Sequence, residues 1–426
     1  MAMKRLFGLL GVVALGALLS ASAQVSFTHI KSVDISRYFN GSQLGSIACD
    51  VAFDGSNLYI AGMSVSNTSP ASVGVLKVTN VLSLDVGSWG YVPLITLTQA
   101  AQSRSSYIVY RDGFLYLGTG LGDSSNNAAN TGIRKFDAAT GTQISDWNIT
   151  GVVLPSDLSN SSRAECIEID PGYQGNNPSL AVLARGRGFI FRRDFATGSA
   201  LPNILGEPYN DCAGNTGQTT GMRDITFSPE GDVYLRVDNS IFYAQRTAGN
   251  TVQDGRACRI FNFDSDNALQ VLINIHYLRT SSGDYLLYNR RTGANPRFNK
   301  VFVASGSGAS WSNYAELTGS EPLPNGTAPE AYASDIFNFT SGYGTDPSKG
   351  DVNLDGVVDD ADLLAILFEF GSSNAAVDTN SDGVVDDADL LNVLFNFGST
   401  PQAQYLFVVH SSVTDDRLDI YRVDSN

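Results

Sequence analysis

The stretch IACDVAFDGSNLYIAG (Ile47–Gly62) places a short apolar run, an Asp-Gly turn and a second apolar run in sixteen consecutive positions. Such a pattern predicts a β-hairpin. Branched and aromatic side chains suit a half-buried pleated strand, and Asp and Gly accept the backbone angles of a tight turn. The pattern returns as SSYIVYRDGFLYLGTG (Ser105–Gly120) and MRDITFSPEGDVYLRV (Met222–Val237), and in a longer form as AECIEIDPGYQGNNPSLAVLA (Ala164–Ala184). Recurrence every roughly 45 to 60 residues leaves room for three or four strands per unit, which suits propeller blades better than a sandwich.

Counting outward from these hairpins gives about six blades. Five begin near Ile47, Ser106, Ala164, Met222 and Leu269. The sixth opens with AYASDIFNF from Ala331 and continues with QYLFVVHSS from Gln404 and DRLDIYRVD from Asp416, while VSFTHIKSVDI from Val25 supplies its outer strand. Joining the two termini in one blade closes the ring and leaves no open sheet edge. The fold class expected is therefore mainly β, a propeller with a small α-helical insertion near the C-terminus. By this strand pattern the chain resembles secreted six-bladed propellers of the NHL and TolB-like type.

Residues 1–23 stand apart from this pattern. Lys4 and Arg5 precede an uncharged apolar run from Leu6 to Leu19, and Ala21-Ser22-Ala23 follows. This is the layout of a secretory signal cut after Ala23, and the run is shorter than the ~20 residues that cross a bilayer. The expectation is an exported, extracellular or cell-surface protein with no membrane span in the mature chain. In an oxidising compartment the four cysteines, Cys49, Cys166, Cys212 and Cys258, are expected to form two disulfides of undetermined pairing.

The formal charge of −16 is concentrated in one place. Asp351 to Asp389 holds eleven carboxylates and no Lys or Arg. With no basic stripe elsewhere to neutralise phosphates, nucleic-acid binding is not expected. The segment contains a duplication: DVNLDGVVDDADLLAILFEFGS from Asp351 and DTNSDGVVDDADLLNVLFNFGS from Asp378 are identical at 17 of 22 positions. It falls between two strands of the last blade, so residues 350–399 read as a unit inserted into a hairpin, flanked by SGYGTDPSKG and STPQAQ.

Each copy places oxygen-bearing residues at loop positions one, three, five, nine and twelve. These are Asp351, Asn353, Asp355, Asp359 and Asp362, then Asp378, Asn380, Asp382, Asp386 and Asp389. Calcium takes about six to eight oxygens, and a twelve-residue loop supplies them from these offsets plus the carbonyl of position seven, here Val357 and Val384. Gly356 and Gly383 stand at position six, where the chain turns with positive φ. A helix follows each loop and stops at Gly371 or Gly398. The expected cofactor is two Ca2+ ions, without which the crowded carboxylates repel and the segment does not fold. Leu363, Leu367, Phe368, Leu390, Leu394 and Phe395 are expected to pack the two helices together.

On these residues the segment resembles a type I dockerin. The resemblance implies two calcium-loaded loop–helix repeats that dock onto a cohesin-type protein. It also implies that the pair at positions ten and eleven meets the partner. Here that pair is Asp360-Ala361 and Asp387-Ala388.

For the propeller the sequence leaves two functions open. Aligned blade openings bring Asp50, Cys166, Asp224 and Asp335 to one level of the innermost strands, where they line the channel or tie neighbouring blades by hydrogen bonds. No GxSxG elbow, HExxH helix or phosphate-binding Gly loop is present. The reading favoured is a non-enzymatic binding or assembly protein. The alternative is a carbohydrate-active enzyme, a glycoside hydrolase or lyase brought to polysaccharide by the inserted unit, with channel carboxylates as acid and base.

Overall fold

A computed structural model describes residues 25–39, 44–63, 71–99, 105–121, 132–150, 163–185, 189–205, 222–263, 271–291, 298–317, 332–333, 336–411 and 416–425. The chain opens with β1 (Val25–Asp34) and a short helix α1 (Ser36–Phe39). The first blade is β2 (Ile47–Phe53), β3 (Leu58–Met63), β4 (Ala71–Thr79) and β5 (Gly90–Gln99), and the second is β6 (Ser105–Arg111), β7 (Phe114–Leu121), β8 (Gly132–Asp137) and β9 (Gln143–Thr150). The third comprises β10 (Arg163–Asp170), β11 (Ser179–Arg185), β12 (Phe189–Arg193) and β13 (Ala200–Leu205). The fourth comprises β14 (Met222–Phe227), β15 (Val233–Val237), β16 (Ser240–Ala244) and β17 (Cys258–Asn262). In the fifth, β18 (Val271–Thr280), β19 (Gly283–Arg291), β20 (Phe298–Ser307) and β21 (Ser310–Leu317) are joined by β22 (Tyr332–Ala333), which pairs with β20.

The sixth sheet takes β23 (Ile336–Thr345), β24 (Gln402–Ser411) and β25 (Asp416–Ser425) from the end of the chain and β1 from its start. Antiparallel pairing from Val25↔Ser425 to Asp34↔Arg417 makes the closure expected from the sequence. The fold is thus a six-bladed propeller. Its hairpins are set by local turn chemistry. In Arg111-Asp112-Gly113-Phe114 both central residues have positive φ, 49° and 84°, the two-residue turn whose twist matches the flanking strands. Each apolar cluster of the propeller lies between consecutive blades. One joins Leu76, Trp89 and Val51 of the first blade to Tyr405, Phe407 and Leu418 of the sixth, across the closure.

Three expectations change. The inner strand of the sixth blade begins at Ile336 rather than Ala331, and SGYGT, expected to be a flexible flank, is its second half, paired through Thr345↔Gln402. Glycine is used there for space. A Cβ on Gly342 would lie 2.8 Å from the Phe53 ring, and one on Gly344 would lie 2.5 Å from Leu82. Cys49 and Cys166 are buried thiols, so two disulfides do not form; Cys258 is disulfide-bonded, and Cys212 lies outside the described residues. Residues 1–23 are outside them too, and among the described residues no helix is long and apolar enough to cross a membrane.

Between β23 and β24 the chain forms α2 (Asp360–Phe368) and α3 (Asp387–Asn396), each preceded by an acidic loop. Val358, Ile366, Val377, Val385 and Val393 make their small common core, separate from the blade clusters.

Candidate functional site

The two acidic loops are built alike. In the first, Gly356 N–H donates to Asp351 Oδ2 at 2.8 Å, Asp355 N–H to Asn353 Oδ1 at 2.9 Å and Val357 N–H to Asp355 Oδ1 at 3.0 Å. The second repeats these bonds at the same distances with Gly383 and Asp378, Asp382 and Asn380, and Val384 and Asp382. Such short side-chain-to-backbone bonds curl the chain around its own carboxylates. Positive φ at position six, 98° at Gly356 and 93° at Gly383, completes the curl, as the sequence required.

The last two acidic positions of each loop start the helix. Asp359 Oδ1 accepts from Ala361 N–H, and Asp362 Oδ2 accepts from Asp359 N–H; Asp386 and Asp389 do the same for α3. These capping boxes satisfy otherwise orphaned amides of the first turn. The remaining oxygens of Asp362 and Asp389 accept from the amides of Val352 and Asn353, and of Thr379 and Asn380.

One oxygen is left over. Asp351 is fully buried, and its Oδ1 has no hydrogen-bond partner. Burial pushes this carboxyl above the usual range, with the Asp362 and Asp355 charges adding to it. No Lys or Arg lies between Asp351 and Asp389 to compensate. A hard cation that prefers oxygen fits this donor set. The fit is one of donor type, because among the described residues no three His, Cys, Asp or Glu side chains are already gathered into a metal cage. The residues that would hold an ion are those of positions one, three, five, nine and twelve, with the backbone of Val357 and Val384.

The helix surfaces differ from expectation. Leu363 and Leu390 pack on the small core, but Leu367, Phe368, Leu394 and Phe395 do not: Phe368 is 83 % exposed and Phe395 82 %. The buried contacts of the module are made by Val358, Ile366, Val377, Val385 and Val393 instead. Leu364, Phe370, Leu391 and Phe397 are exposed as well, so each repeat presents the same apolar face. Asp360, Ala361, Asp387 and Ala388 are all exposed at the start of these helices. Contiguous exposed apolar surface rimmed by charge marks an interaction site more often than an idle surface.

In the propeller, Asp50, Cys166 and Asp224 do fall on one level, each just after a bulge in its innermost strand. They bind blade to blade. Asp50 accepts from Val51 N–H and from Ile108 N–H of the next blade; Asp224 accepts from Ile225 N–H and, across the next interface, Ile275 N–H. Asp335 lies outside the described residues. The equivalent place in the sixth blade is held by Asn338, which accepts from Phe339 N–H and donates to Asp50.

Burial pushes Asp50 up to about 7 and Asp224 to about 6. Glu168, which the sequence reading passed over, lines the same hollow and is pushed by burial to about 8. Its position two residues beyond Cys166 puts it on the same strand face, the signal that could have found it. His276, hydrogen-bonded to Ser341 at 2.7 Å, is held down by burial to about 4 and is neutral.

No family model matches the chain, and no curated protein matches it. Among solved structures it is similar to the Malassezia sympodialis allergen Mala s 1, with a TM-score of 0.46 and 12% identity over 92% of this chain and 96% of that one. The Dos1 propeller gives a TM-score of 0.37 at 12% identity over 68% and 76% of the two chains. An α-L-arabinofuranosidase from Clostridium thermocellum gives 0.35 at 10% identity over 68% and 94%. Likenesses this distant say nothing of substrate or activity, and the six-bladed architecture stands on the strand pairing itself.

Proposed function

We propose that residues 350–399 are a two-ion calcium module of dockerin type that attaches an exported, non-enzymatic propeller to an extracellular assembly through a cohesin-type partner. The observation carrying this reading is the buried, unpartnered Oδ1 of Asp351 in a loop built twice from the same oxygen donors, with no Lys or Arg within either loop. Calcium supplies the missing positive charge, held by the oxygens of both loops. The duplicated apolar faces around Phe368 and Phe395, beside Asp360 and Asp387, then serve as the docking surface. The propeller is read as a binding unit because Asp50 and Asp224 are committed to inter-blade bonds. Export rests on the leader-like residues 1–23.

The experiment is chelation of the full chain followed by far-UV circular dichroism. Loss of the helical signal with the β signal retained, restored by calcium but not by magnesium at the same concentration, is expected. An unchanged spectrum overturns the calcium module. One observation favours the alternative of a carbohydrate-active enzyme: Glu168 is a protonated acid at neutral pH, as a general acid must be. Release of reducing ends from a polysaccharide panel, abolished by Glu168→Gln, would establish that reading instead.

A further inference from the structure

Three adjoining hollows lead from the propeller axis to the foot of the helical module. The innermost, about 210 Å³, is bordered by Asp50, Asp224, Glu168, His276 and Ser341. The next, about 350 Å³, shares Glu168, His276 and Ser341 with it and reaches Arg279, Tyr343 and Gln404. The third, about 510 Å³, shares Tyr343 and Gln404 and continues to Lys349, Arg422 and Asp424. Both outer hollows fall within the roughly 300–1,000 Å³ usual for ligand sites.

We propose that this groove binds one end of a linear, uncharged oligosaccharide, with the terminal sugar directed at Glu168 and the following sugars crossing Tyr343. Tyr343 is 56 % exposed, and among the described residues it is the exposed aromatic side chain of the propeller; the other exposed rings belong to the helical module. It stands where the middle hollow, lined mostly by apolar atoms, meets the more polar outer one. An aromatic face with a polar tip suits a sugar ring, which presents C–H bonds on its faces and hydroxyls on its edge.

The polar groups of the groove are held in place beforehand. Gln404 donates its amide to Arg279 O at 2.9 Å, which turns its own amide oxygen away from that contact. Arg279 is fixed by Glu230 and Asp284. Glu168 uses Oε1 on Ile169 N–H, and His276 is oriented by Ser341. A rigid array of mixed donors and acceptors matches hydroxyls at little ordering cost. Opposite charges offset one another along the walls: Arg279 of the middle hollow is paired with Glu230 and Asp284, and in the outer one Asp346 and Asp424 stand with Lys349 and Arg422. A groove without net sign favours a neutral chain over a polyanion.

The inference rests on reading the propeller as the binding unit and is independent of calcium. It is tested with the full chain in calcium-containing buffer, titrated calorimetrically with neutral gluco-, xylo- and manno-hexaoses and with the anionic hexagalacturonate. Binding of at least one neutral hexaose is expected, weakened about tenfold by Tyr343→Ala and unchanged by Phe395→Ala, a still more exposed ring on the module. Unchanged melting temperatures for both variants show that the fold is intact. No binding of any neutral hexaose, preference for hexagalacturonate, or an unaffected Tyr343→Ala variant overturns the assignment. Cleavage of the bound hexaose would remove the non-enzymatic reading while leaving the groove's ligand class in place.

Discussion

The two loop–helix copies differ at few positions, and one difference separates their mechanical roles. Both loops carry left-handed backbone at position four, φ 64° at Leu354 and 59° at Ser381. Leu354 packs against the propeller cluster at the closure of the ring, whereas Ser381 is exposed and borders a cavity of about 470 Å³ between the second loop and the propeller. The buried first-position carboxylates differ to match. Asp378 Oδ1 accepts from Asp382 N–H at 3.2 Å, while Asp351 Oδ1 has no partner. The copies are equivalent in donor chemistry and unequal in attachment: the first reaches the propeller cluster through Leu354, and the second borders the cavity beside it.

The largest effect expected from this asymmetry is on calcium. Asp351→Ala removes the carboxylate with the unpartnered oxygen, and Asp378→Ala removes one already partly satisfied. Half-maximal recovery of helical signal is expected to need at least about tenfold more calcium in the first variant than in the second, a difference of about 1.4 kcal/mol. Equal shifts would show the two loops to be interchangeable. Next comes Leu354→Ser, which makes the first loop like the second. Losing a partly buried leucine contact is expected to lower the propeller's unfolding free energy by about 1–2 kcal/mol, read by denaturant melts, while Ser381→Ala changes nothing measurable.

An effect of similar size belongs to the channel, whose carboxyls, like Asp351, are raised by burial. Their folded pKa values of about 7 for Asp50 and about 8 for Glu168 lie above those of the unfolded chain. The folded state therefore holds protons that the unfolded state has released, and stability falls as pH rises toward 8. His276, lowered to about 4, acts in the opposite sense, but only below its unfolded value of about 6.5. The clean window is pH 6.5 to 8, where the slope is expected to be at most about 1.4 kcal/mol per pH unit for each carboxyl. Glu168→Gln should flatten it; a slope unchanged by that variant would assign the titration elsewhere. The smallest effect is expected for Phe368→Ser with Phe395→Ser, within about 0.5 kcal/mol in denaturant melts, because both rings are solvated. A larger loss would mean they support the module rather than face a partner.

The blades were legible because each innermost hairpin repeats an apolar run, a turn and a second run, and the turns enforce the pairing locally. The sixth blade was harder. Asp335 in ASDIF resembles Asp224 in RDITF, yet Asn338-Phe339-Thr340 makes the backbone contact that Asp224-Ile225-Thr226 makes. An amide in place of a carboxylate hid the equivalence. The acidic loops, the glycine turn at position six and the helix after each could be read from spacing alone. Which residues those helices bury could not, since periodicity marks an apolar face without saying that the core is made by Val358, Ile366, Val377, Val385 and Val393 and that Phe368 and Phe395 stay outside. Leu354 was unreadable for a related reason: its neighbours come from strands far away in sequence.

The central claim concerns the acidic loops, and calorimetric titration of the calcium-stripped full chain tests it most directly. Uptake of two calcium ions per chain, abolished in the Asp351→Ala, Asp378→Ala double variant, is the predicted result. No uptake by the unmodified chain, or the same uptake by the double variant, would contradict it.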